Sequence, residues 1–416
     1  MTQILTYEQI DRTAWSTLVR ESRTGTWFQS PEAYGLFASL PDLFRPFAIG
    51  VERVNELTSE RVNELTNERI NELTNERINE LTSERINELT DERRLRGVCV
   101  GYVTKERSVL RQYFTRRAII LGGPCLADDC SDAEITALLE AVKTKTRHLS
   151  PIYIETRNFN DYSRWKGAFE KARFAYKPHL NFHIDCRDKA KMWERLSDTR
   201  KRQIRRVMSE RINELTDERM NELTSERINE LTSERVSEEE IREWYAILER
   251  LYRTKVKTPL WPEEFFLEAH RQGAAKYLLV RHEGKVVGGM MIVTSERVNE
   301  LTNERMNELT SERINELTNG GCIYEWYICG LDAEYKEQYP SVMATWAAME
   351  YANQHGLARF DVMGAGEPGV PYGVRDFKAE FGGELVEHGR YLCVLKPMLY
   401  KLGTIGVKIL KKQKKG

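Results

Sequence analysis

The sequence predicts an α/β protein made of two similar halves, each with a mixed sheet and interleaved helices. Three observations support this prediction. Short β-branched runs alternate with longer helical stretches, their order is nearly the same in both halves, and three arrays of an eight-residue repeat separate from the rest of the chain. The arrays take up 94 of the 416 residues, so 322 remain, enough for two ordinary domains.

The first half contains strand-like segments on both sides of the first array. FRPFAIGV and RGVCVGYV are predicted to pair across it, and RAIILGGP is the next strand. A helix is predicted from Asp132 to about His148. The strand IYIETRNF, the helix SRWKGAFEKARF and the strand HLNFHIDC complete this half.

The second half repeats this order around the third array. KYLLVRHEGKVVGGMMIV and CIYEWYICGL supply strands, and a helix is predicted from Ser341 to about Gln354. The strand ARFDVMGA, the short helix VRDFKAEF and the strand RYLCVLKP follow. We therefore predict domains at 1–184 and 185–396, with a basic tail at 397–416.

Copies of a unit such as SERINELT fill residues 51–93, 209–235 and 295–318. A unit has only two apolar residues, and successive pairs are rotated by roughly 80° on a helix, so no continuous apolar stripe forms. We interpret the arrays as solvated insertions in surface loops. Extending a three-residue turn to about 45 residues costs roughly 2.4 kcal/mol in loop-closure entropy, which a domain can tolerate. The alternative is a repeat array that builds a binding surface.

The charge is distributed unevenly between the arrays and the remaining chain. The arrays hold 26 acidic and 13 basic residues, whereas the whole chain carries −1, so the remaining residues carry +12. This balance indicates anionic partners, such as phosphates, nucleic acid or a membrane surface.

The cysteines and the N-terminus indicate a cytoplasmic protein. The seven cysteines form no CxxC pair and have no histidines clustered beside them, so neither a metal site nor a disulfide framework is expected. The N-terminus lacks a basic segment followed by an apolar run, and no stretch reaches about 18 apolar residues.

The densest group of unusual residues is FDVMGAGEPGVPYGVRDFKAEFGGELVEHGRY, residues 360–391. Gly364 and Gly366 follow a strand and allow backbone amides to approach a ligand. Lys378 follows on a short helix. The alternative is a tight strand-to-helix connection with a solvated lysine.

The run YGVRDFKAEFGGELVEHGRY, with TRKRQIRRV and TGTWFQSPEAY, resembles the Fem family of aminoacyltransferases. Proteins of this family consist of two tandem acetyltransferase-like (GNAT) domains and build peptidoglycan interpeptide bridges. The resemblance spans the chain outside the arrays and implies an aminoacyl-tRNA donor, a peptidoglycan precursor as acceptor, and no bound cofactor. It places Phe377 and Lys378 at the reaction centre.

A mechanism can be written for these residues. An amine attacks the ester carbonyl, and the Lys378 ammonium stabilises the developing oxyanion while Phe377 shapes the pocket. Asp361 and Asp376 are candidate bases, and the alternative for Asp361 is a loop cap. The other expected substrate-binding residues are the two glycines above, the basic-helix residues Arg202 and Arg205, and Tyr372, Gly373 and Arg375. A solvated helix face is the alternative for the arginines.

Two departures from the family concern the acceptor. A first-domain lysine that contacts phosphate in family members has no counterpart in YGLFAS, so a lipid-linked precursor is preferred to a UDP-linked one. The second array also interrupts the chain just after the basic helix.

Two alternative functions remain. One is a GNAT-type acyltransferase that uses acyl-CoA, although AEYKEQYPSVMATW lacks the glycine turn that binds the CoA pyrophosphate. The other is a non-catalytic binding scaffold.

The C-terminal tail KLGTIGVKILKKQKKG carries six lysines and no acidic residue, with Ile405, Ile409 and Leu410 spaced for one helical face. Such a segment is expected to lie on an anionic membrane at the inner face of the cell. A disordered basic end is the alternative.

Overall fold

A computed structural model describes residues 2–54, 93–105, 115–209, 236–256, 258–295 and 320–404. The predicted fold class is confirmed, because two mixed sheets alternate with helices. Most of each array, at 55–92, 210–235 and 296–319, lies outside the described residues, as does the tail from 405 onward. The prediction that the arrays are solvated insertions is therefore untested.

Within the described residues, the first sheet contains eight strands. In chain order the first part of the molecule comprises β1 (Thr2–Thr6), α1 (Arg12–Glu21), α2 (Pro31–Ala38), β2 (Phe44–Val54), β3 (Arg93–Thr104), β4 (Ala118–Gly122), β5 (Cys125–Leu126), α3 (Asp132–Arg147), β6 (Tyr153–Asn158), α4 (Lys166–Lys171) and β7 (Ala175–Lys177). The strand order is β1-β2-β3-β4-β6-β14-β7, with β5 beside β3 and with β14 supplied by the far end of the chain. The pair β4–β6 is parallel, and α3 makes the crossover between these strands.

The second sheet contains six strands. Its part of the chain comprises β8 (Leu180–Asp185), α5 (Lys189–Arg195), α6 (Asp198–Ser209), α7 (Glu238–Leu251), α8 (Glu263–Arg271), β9 (Lys276–His282), β10 (Lys285–Ser295), β11 (Cys322–Gly330), α9 (Pro340–Gln354), β12 (Arg359–Asp361), α10 (Gly373–Ala379), β13 (Glu384–Glu387) and β14 (Arg390–Val394). The order is β13-β8-β12-β11-β10-β9, and the parallel pair β11–β12 is connected through α9. Each sheet thus has one parallel pair joined by a long helix, as the matching element orders indicated.

The two sheets exchange a strand, which chain order does not reveal. The strand β8 follows the first-half elements but pairs with β12 and β13 in the second sheet. The strand β14 ends the second half but pairs with β6 and β7 in the first sheet. HLNFHIDC and RYLCVLKP therefore belong to the opposite sheet from the half in which they occur. A domain boundary between residues 184 and 185 stays a prediction.

The first and third arrays interrupt paired strands, as predicted. Antiparallel β2 and β3 flank the first array, and antiparallel β10 and β11 flank the third. The limits assigned from the sequence need one correction, because Val51–Val54 extend β2 and Val51 is fully buried. The Arg53 Nε donates to Glu134 Oε1 at 2.8 Å. The first repeat unit is therefore partly built into the sheet, where its alternating residues continue the strand pattern.

The helices α3 and α7 begin at capping boxes and bury an apolar face. The Ser131 side chain accepts from the Glu134 amide, and the Glu134 side chain accepts from the Ser131 amide, which satisfies backbone groups at the start of α3. A shared core joins the two halves, with Phe28 and Leu121 from the first part packed in the same cluster as Trp244 and Tyr324 from the second. This continuous core holds the two sheets against each other around the glycine-rich segment.

Candidate active site

The glycine-rich segment leaves β12 at the buried carboxylate of Asp361. Its Oδ1 accepts from the Asn181 side chain and from the Met363 amide, each at 2.7 Å, and its Oδ2 lies 3.1 Å from His183 Nε2. Burial raises the pKa of Asp361, but His183, the charge of Arg359 and the hydrogen bond from Asn181 together outweigh burial, and the pKa lies below its ordinary value. Asp361 is 0% exposed, and both of its carboxylate oxygens are already engaged by Asn181, the Met363 amide and His183. The geometry supports the loop cap, and it does not support Asp361 as a base.

Lys378 lies on α10 with its ammonium group buried beneath the same segment. Its Nζ donates to the carbonyl of Val362 at 2.6 Å and to that of Gly364 at 3.1 Å. The Nζ also lies 2.9 Å from Glu325 Oε1. The lysine is 7% exposed, so the alternative of a solvated lysine is wrong. The three protons of the Lys378 ammonium therefore have three acceptors. These contacts fix the start of the glycine loop and hold the positive charge beneath it.

Glu325 is the residue of this site that the sequence did not identify. It lies on β11 and is 7% exposed, and its Oε1 contacts the Lys378 ammonium. Burial raises its pKa above the ordinary range, although Lys378 opposes this shift. The signal was a single acidic residue within the apolar run CIYEWYICG, where an ionised side chain is costly without a partner.

Phe377 and the basic helix α6 form the wall beside the lysine. The Arg200 guanidinium lies 4.5 Å from the centre of the Phe377 ring and 5.4 Å from that of Phe381. Its Nε lies 3.3 Å from Glu380 Oε2. Two of the three sequence motifs that carried the resemblance, the basic helix and the Phe377-Lys378 run, therefore contact each other through Arg200.

Arg202 and Arg205, the two basic-helix arginines expected to bind substrate, do not share the contact that Arg200 makes with Phe377. Arg202 is exposed on α6, and Arg205 is exposed with its guanidinium 5.2 Å from the Trp193 ring centre. Both can meet an anionic ligand from solvent. Their role in substrate binding stays a prediction.

Arg375 organises the glycine loop from within. Its Nε donates to the Ala365 carbonyl at 2.7 Å, and its two Nη atoms donate to the carbonyls of Val370 and Glu367. Three donors of one guanidinium thus hold the loop closed. The contacts assign Arg375 to loop structure, because these backbone oxygens use the donors that a substrate would require.

The glycines in the loop differ in their structural requirements. Gly366 has φ +79°, and a Cβ there would lie 2.9 Å from the Tyr372 ring, so Tyr372 covers a backbone that must lack a side chain. Gly373 begins α10 and has open space around it. Tyr372 is 43% exposed and lies near Tyr252. Burial, and to a lesser extent Tyr372, raises the pKa of Tyr252 to about 12. The mouth of the site is therefore aromatic.

Other kinds of site find no support in the described parts of the chain. No group of three His, Cys, Asp or Glu side chains there could hold a metal ion. In the same segments, no helix is both long enough and apolar enough to cross a bilayer.

Comparison with known proteins places the buried lysine and the glycine loop in a segment that matches a family of acyltransferases. Residues 299–408 match the model of the FemAB family, so the resemblance is confirmed over the segment that contains Phe377 and Lys378. The match supports a Fem-like transferase of peptidoglycan bridges.

The chain is similar in fold to one solved structure above a TM-score of 0.5 and to another below it. The crystal structure of FemX has a TM-score of 0.54 and 12% sequence identity, and the alignment covers 96% of this chain and 99% of that chain. A tandem GNAT protein from the clavulanic acid biosynthesis pathway has a TM-score of 0.47 and 7% identity, with 94% and 98% covered. No curated protein matches the sequence at a significant level.

Proposed function

We propose that this protein transfers an amino acid from aminoacyl-tRNA to an amine of the stem peptide in a peptidoglycan precursor. The observation that carries the proposal is the position of the Phe377-Lys378 pair. It lies in the segment that matches the FemAB family, and it places a buried ammonium group at the glycine loop beside a buried carboxylate.

Lys378 supplies the positive charge for the transition state. As the acceptor amine attacks the ester carbonyl of the donor, a carbon–nitrogen bond forms and negative charge develops on the carbonyl oxygen. The ammonium then exchanges one loop carbonyl for this oxygen, because its three protons are otherwise occupied. Removal of such a donor typically costs about 10²–10³-fold in rate.

Glu325 is the proposed acceptor of the amine proton. Its carboxylate lies within 2.9 Å of the Lys378 ammonium, and burial raises its pKa toward the working range of a base. When the carbon–oxygen bond to the donor ribose breaks, Glu325 returns the proton to the departing hydroxyl. Protons and electron pairs then balance without a further reactant.

The starts of two helices favour tRNA over acyl-CoA as donor. Acetyltransferase-like enzymes that use CoA bind its pyrophosphate at a helix N-terminus. In this protein the Ser341 amide near the start of α9 donates to Asp332 Oδ1 at 2.9 Å, and Glu134 caps α3. A carboxylate thus already accepts from a backbone amide that a pyrophosphate would need at each position, although Arg53 compensates the charge of Glu134.

A donor assay tests the proposal. The protein is incubated with lipid-linked precursor and with either charged tRNA or acyl-CoA, and the loss of each donor is followed. We expect loss of the aminoacyl ester that depends on the precursor. Consumption of the CoA thioester alone would indicate the GNAT-type alternative, and loss of neither donor would indicate a binding scaffold.

The start of the tail supports a peripheral contact with an anionic membrane, where a lipid-linked precursor is found. Residues 397–404 are helical, and Met398 and Leu402, one turn apart, are 78% and 59% exposed. Lysines dominate the sequence that follows. Sedimentation with vesicles containing phosphatidylglycerol should exceed that with neutral vesicles, and replacement of both apolar residues by Gln should abolish the excess. Equal sedimentation with both vesicles would refute the contact.

A further inference from the structure

A cavity of about 70 Å³ lies beside the glycine loop, where Met363 and Gly364 form part of its lining. Residues of both sheets line it, including Arg157 of β6, Asn181 of β8 and Arg390 of β14, together with His179 and Gly364. The exchanged strands therefore bring these side chains together. None of the functions assigned above uses this space.

The cavity holds more positive than negative charge. Glu155 Oε2 accepts from Arg157 Nε at 3.2 Å, and Glu155 Oε1 accepts from Arg390 Nη1 at 3.0 Å. Burial raises the pKa of Glu155, but Arg157 and then Arg390 outweigh burial, so the carboxyl is ionised at neutral pH. One carboxylate is thus shared by two guanidinium groups. Glu367, also near Arg390, lies on an exposed part of the loop, where water screens its charge.

His179 does not change this balance. Arg390 Nη2 lies 2.9 Å from His179 Nε2, and because an arginine is always a donor, Nε2 accepts and the ring proton is on Nδ1. Burial, and then the charge of Arg390, lower the pKa of His179 to about 4. The imidazole is therefore neutral at pH 7.

Arg157 presents the donors that remain. Only its Nε is engaged, and its two Nη atoms have no hydrogen-bond acceptor among the residues that the structure describes. A guanidinium with both outer nitrogens available binds a carboxylate through two parallel hydrogen bonds. A volume of about 70 Å³ accommodates such a group but not a nucleotide.

We infer that this cavity binds the C-terminal carboxylate of the acceptor peptide, with Arg157 as its bidentate partner. The inference rests on the proposed function for the identity of the acceptor. Gly364 links the two sites, because its amide donates to Asn181 Oδ1 at 2.8 Å and its carbonyl accepts from Lys378. A carboxylate held there fixes the peptide relative to the lysine, and it gives the enzyme a preference for acceptors with a free carboxylate.

Binding of two stem pentapeptides to the full chain tests the inference without any donor. One ends in a free carboxylate and the other in an amide, and isothermal titration calorimetry gives each Kd. We expect the acid to bind about 10- to 100-fold more tightly, as for charge-assisted hydrogen bonds. Arg157→Gln should remove the difference, whereas Arg147→Gln, which removes an exposed arginine on α3, should keep it.

Equal binding of the acid and the amide by the wild type would overturn the inference. So would an equal loss of affinity for both peptides in Arg157→Gln, as a structural role would produce. Competition by inorganic phosphate but not by acetate would also overturn it and would indicate a phosphate site. Acetate and phosphate are titrated while the NMR signals of His179 are followed. Failure of the donor assay with intact carboxylate selectivity would refute the proposed function and leave the cavity as a peptide-carboxylate site.

Discussion

The buried pair of Lys378 and Glu325 couples the chemistry of the site to the stability of the protein. Both side chains are 7% exposed, and their charged atoms lie 2.9 Å apart. Removing one partner of a buried pair costs about 3–5 kcal/mol, because the other charge remains without compensation. The same contact that holds the catalytic ammonium therefore fixes the strand β11 beneath the glycine loop.

Lys378→Met should make the stability strongly dependent on pH. The pKa of Glu325 is already raised, and loss of the lysine raises it further. A carboxyl group with a raised folded-state pKa keeps full stability below its unfolded pKa of about 4.5 and loses it as pH rises through the folded value. Urea denaturation at pH 5 and pH 8 should therefore show the larger loss at pH 8.

The double variant Lys378→Met/Glu325→Gln is the matched control. It removes the carboxylate together with the ammonium, so the difference between pH 5 and pH 8 should shrink toward that of the wild type. If the single and the double variant lose equal stability at both pH values, the unpaired Glu325 carboxylate is not the cause of the pH dependence.

The motif residues of the site were predictable from sequence, but their partners were not. Phe377 and Lys378 lie in a contiguous run that carries its own signature. Glu325 lies on a strand before the long helix α9, and nothing in the local sequence says that this strand passes under the loop. Asp361 was a candidate base because it ends a strand beside the glycine loop, and its burial cannot be predicted from that position alone.

At the scale of elements, the FGG part of the motif serves packing. Gly382 has φ +74°, and a Cβ there would lie 2.4 Å from both the Cβ and the carbonyl oxygen of Arg195. The end of α5 thus approaches the turn after α10 so closely that only glycine fits. This contact holds the helix of Lys378 against the second sheet.

Gly382→Ala should destabilise the protein by more than about 2 kcal/mol, from backbone strain and the steric clash together. Gly369→Ala is the matched control, because Gly369 has a similar φ of +71° but nothing within 4 Å of a Cβ. The control should lose only the strain energy in urea denaturation. Equal losses in the two variants would show that the close approach to Arg195 does not matter.

The strand exchange makes the first sheet depend on the end of the chain. A protein ending at residue 388 lacks β14, which leaves β6 and β7 without their shared partner. Hydrogen exchange at the amides of β6 should accelerate strongly in this variant. A protein ending at residue 396 retains β14 and should exchange as slowly as the wild type, and fast exchange in both would argue against the pairing.

The strands themselves were predictable, whereas their sheet was not. The segments HLNFHIDC and RYLCVLKP have the alternation and composition of strands, and both form strands. Their partners are distant in sequence, and a hydrophobic pattern specifies which face is buried but not which neighbour pairs. Chain order therefore placed each of them in the wrong sheet.

At the scale of the whole molecule, the arrays make a basic protein look neutral. Shortening 55–92 to a turn of a few residues should leave activity intact and change the melting temperature little, because loop closure costs only about 2.4 kcal/mol even for the long insertion. Differential scanning calorimetry and the donor assay measure both. The variant must keep Val51–Val54, which belong to β2. Loss of folding or of activity would show that the first array is required for the structure or for the reaction.

The most direct measurement of the proposed function is the mass of the acceptor after reaction. Lipid-linked precursor is incubated with charged tRNA and either the wild type or Lys378→Met, and the mass of the precursor is then measured. Both reactions are run at pH 5.5, where the variant retains more of its stability. We predict one added aminoacyl residue per stem peptide with the wild type and a rate lower by at least about 100-fold with the variant. An unchanged mass with the wild type, or equal product from both proteins, would contradict the account.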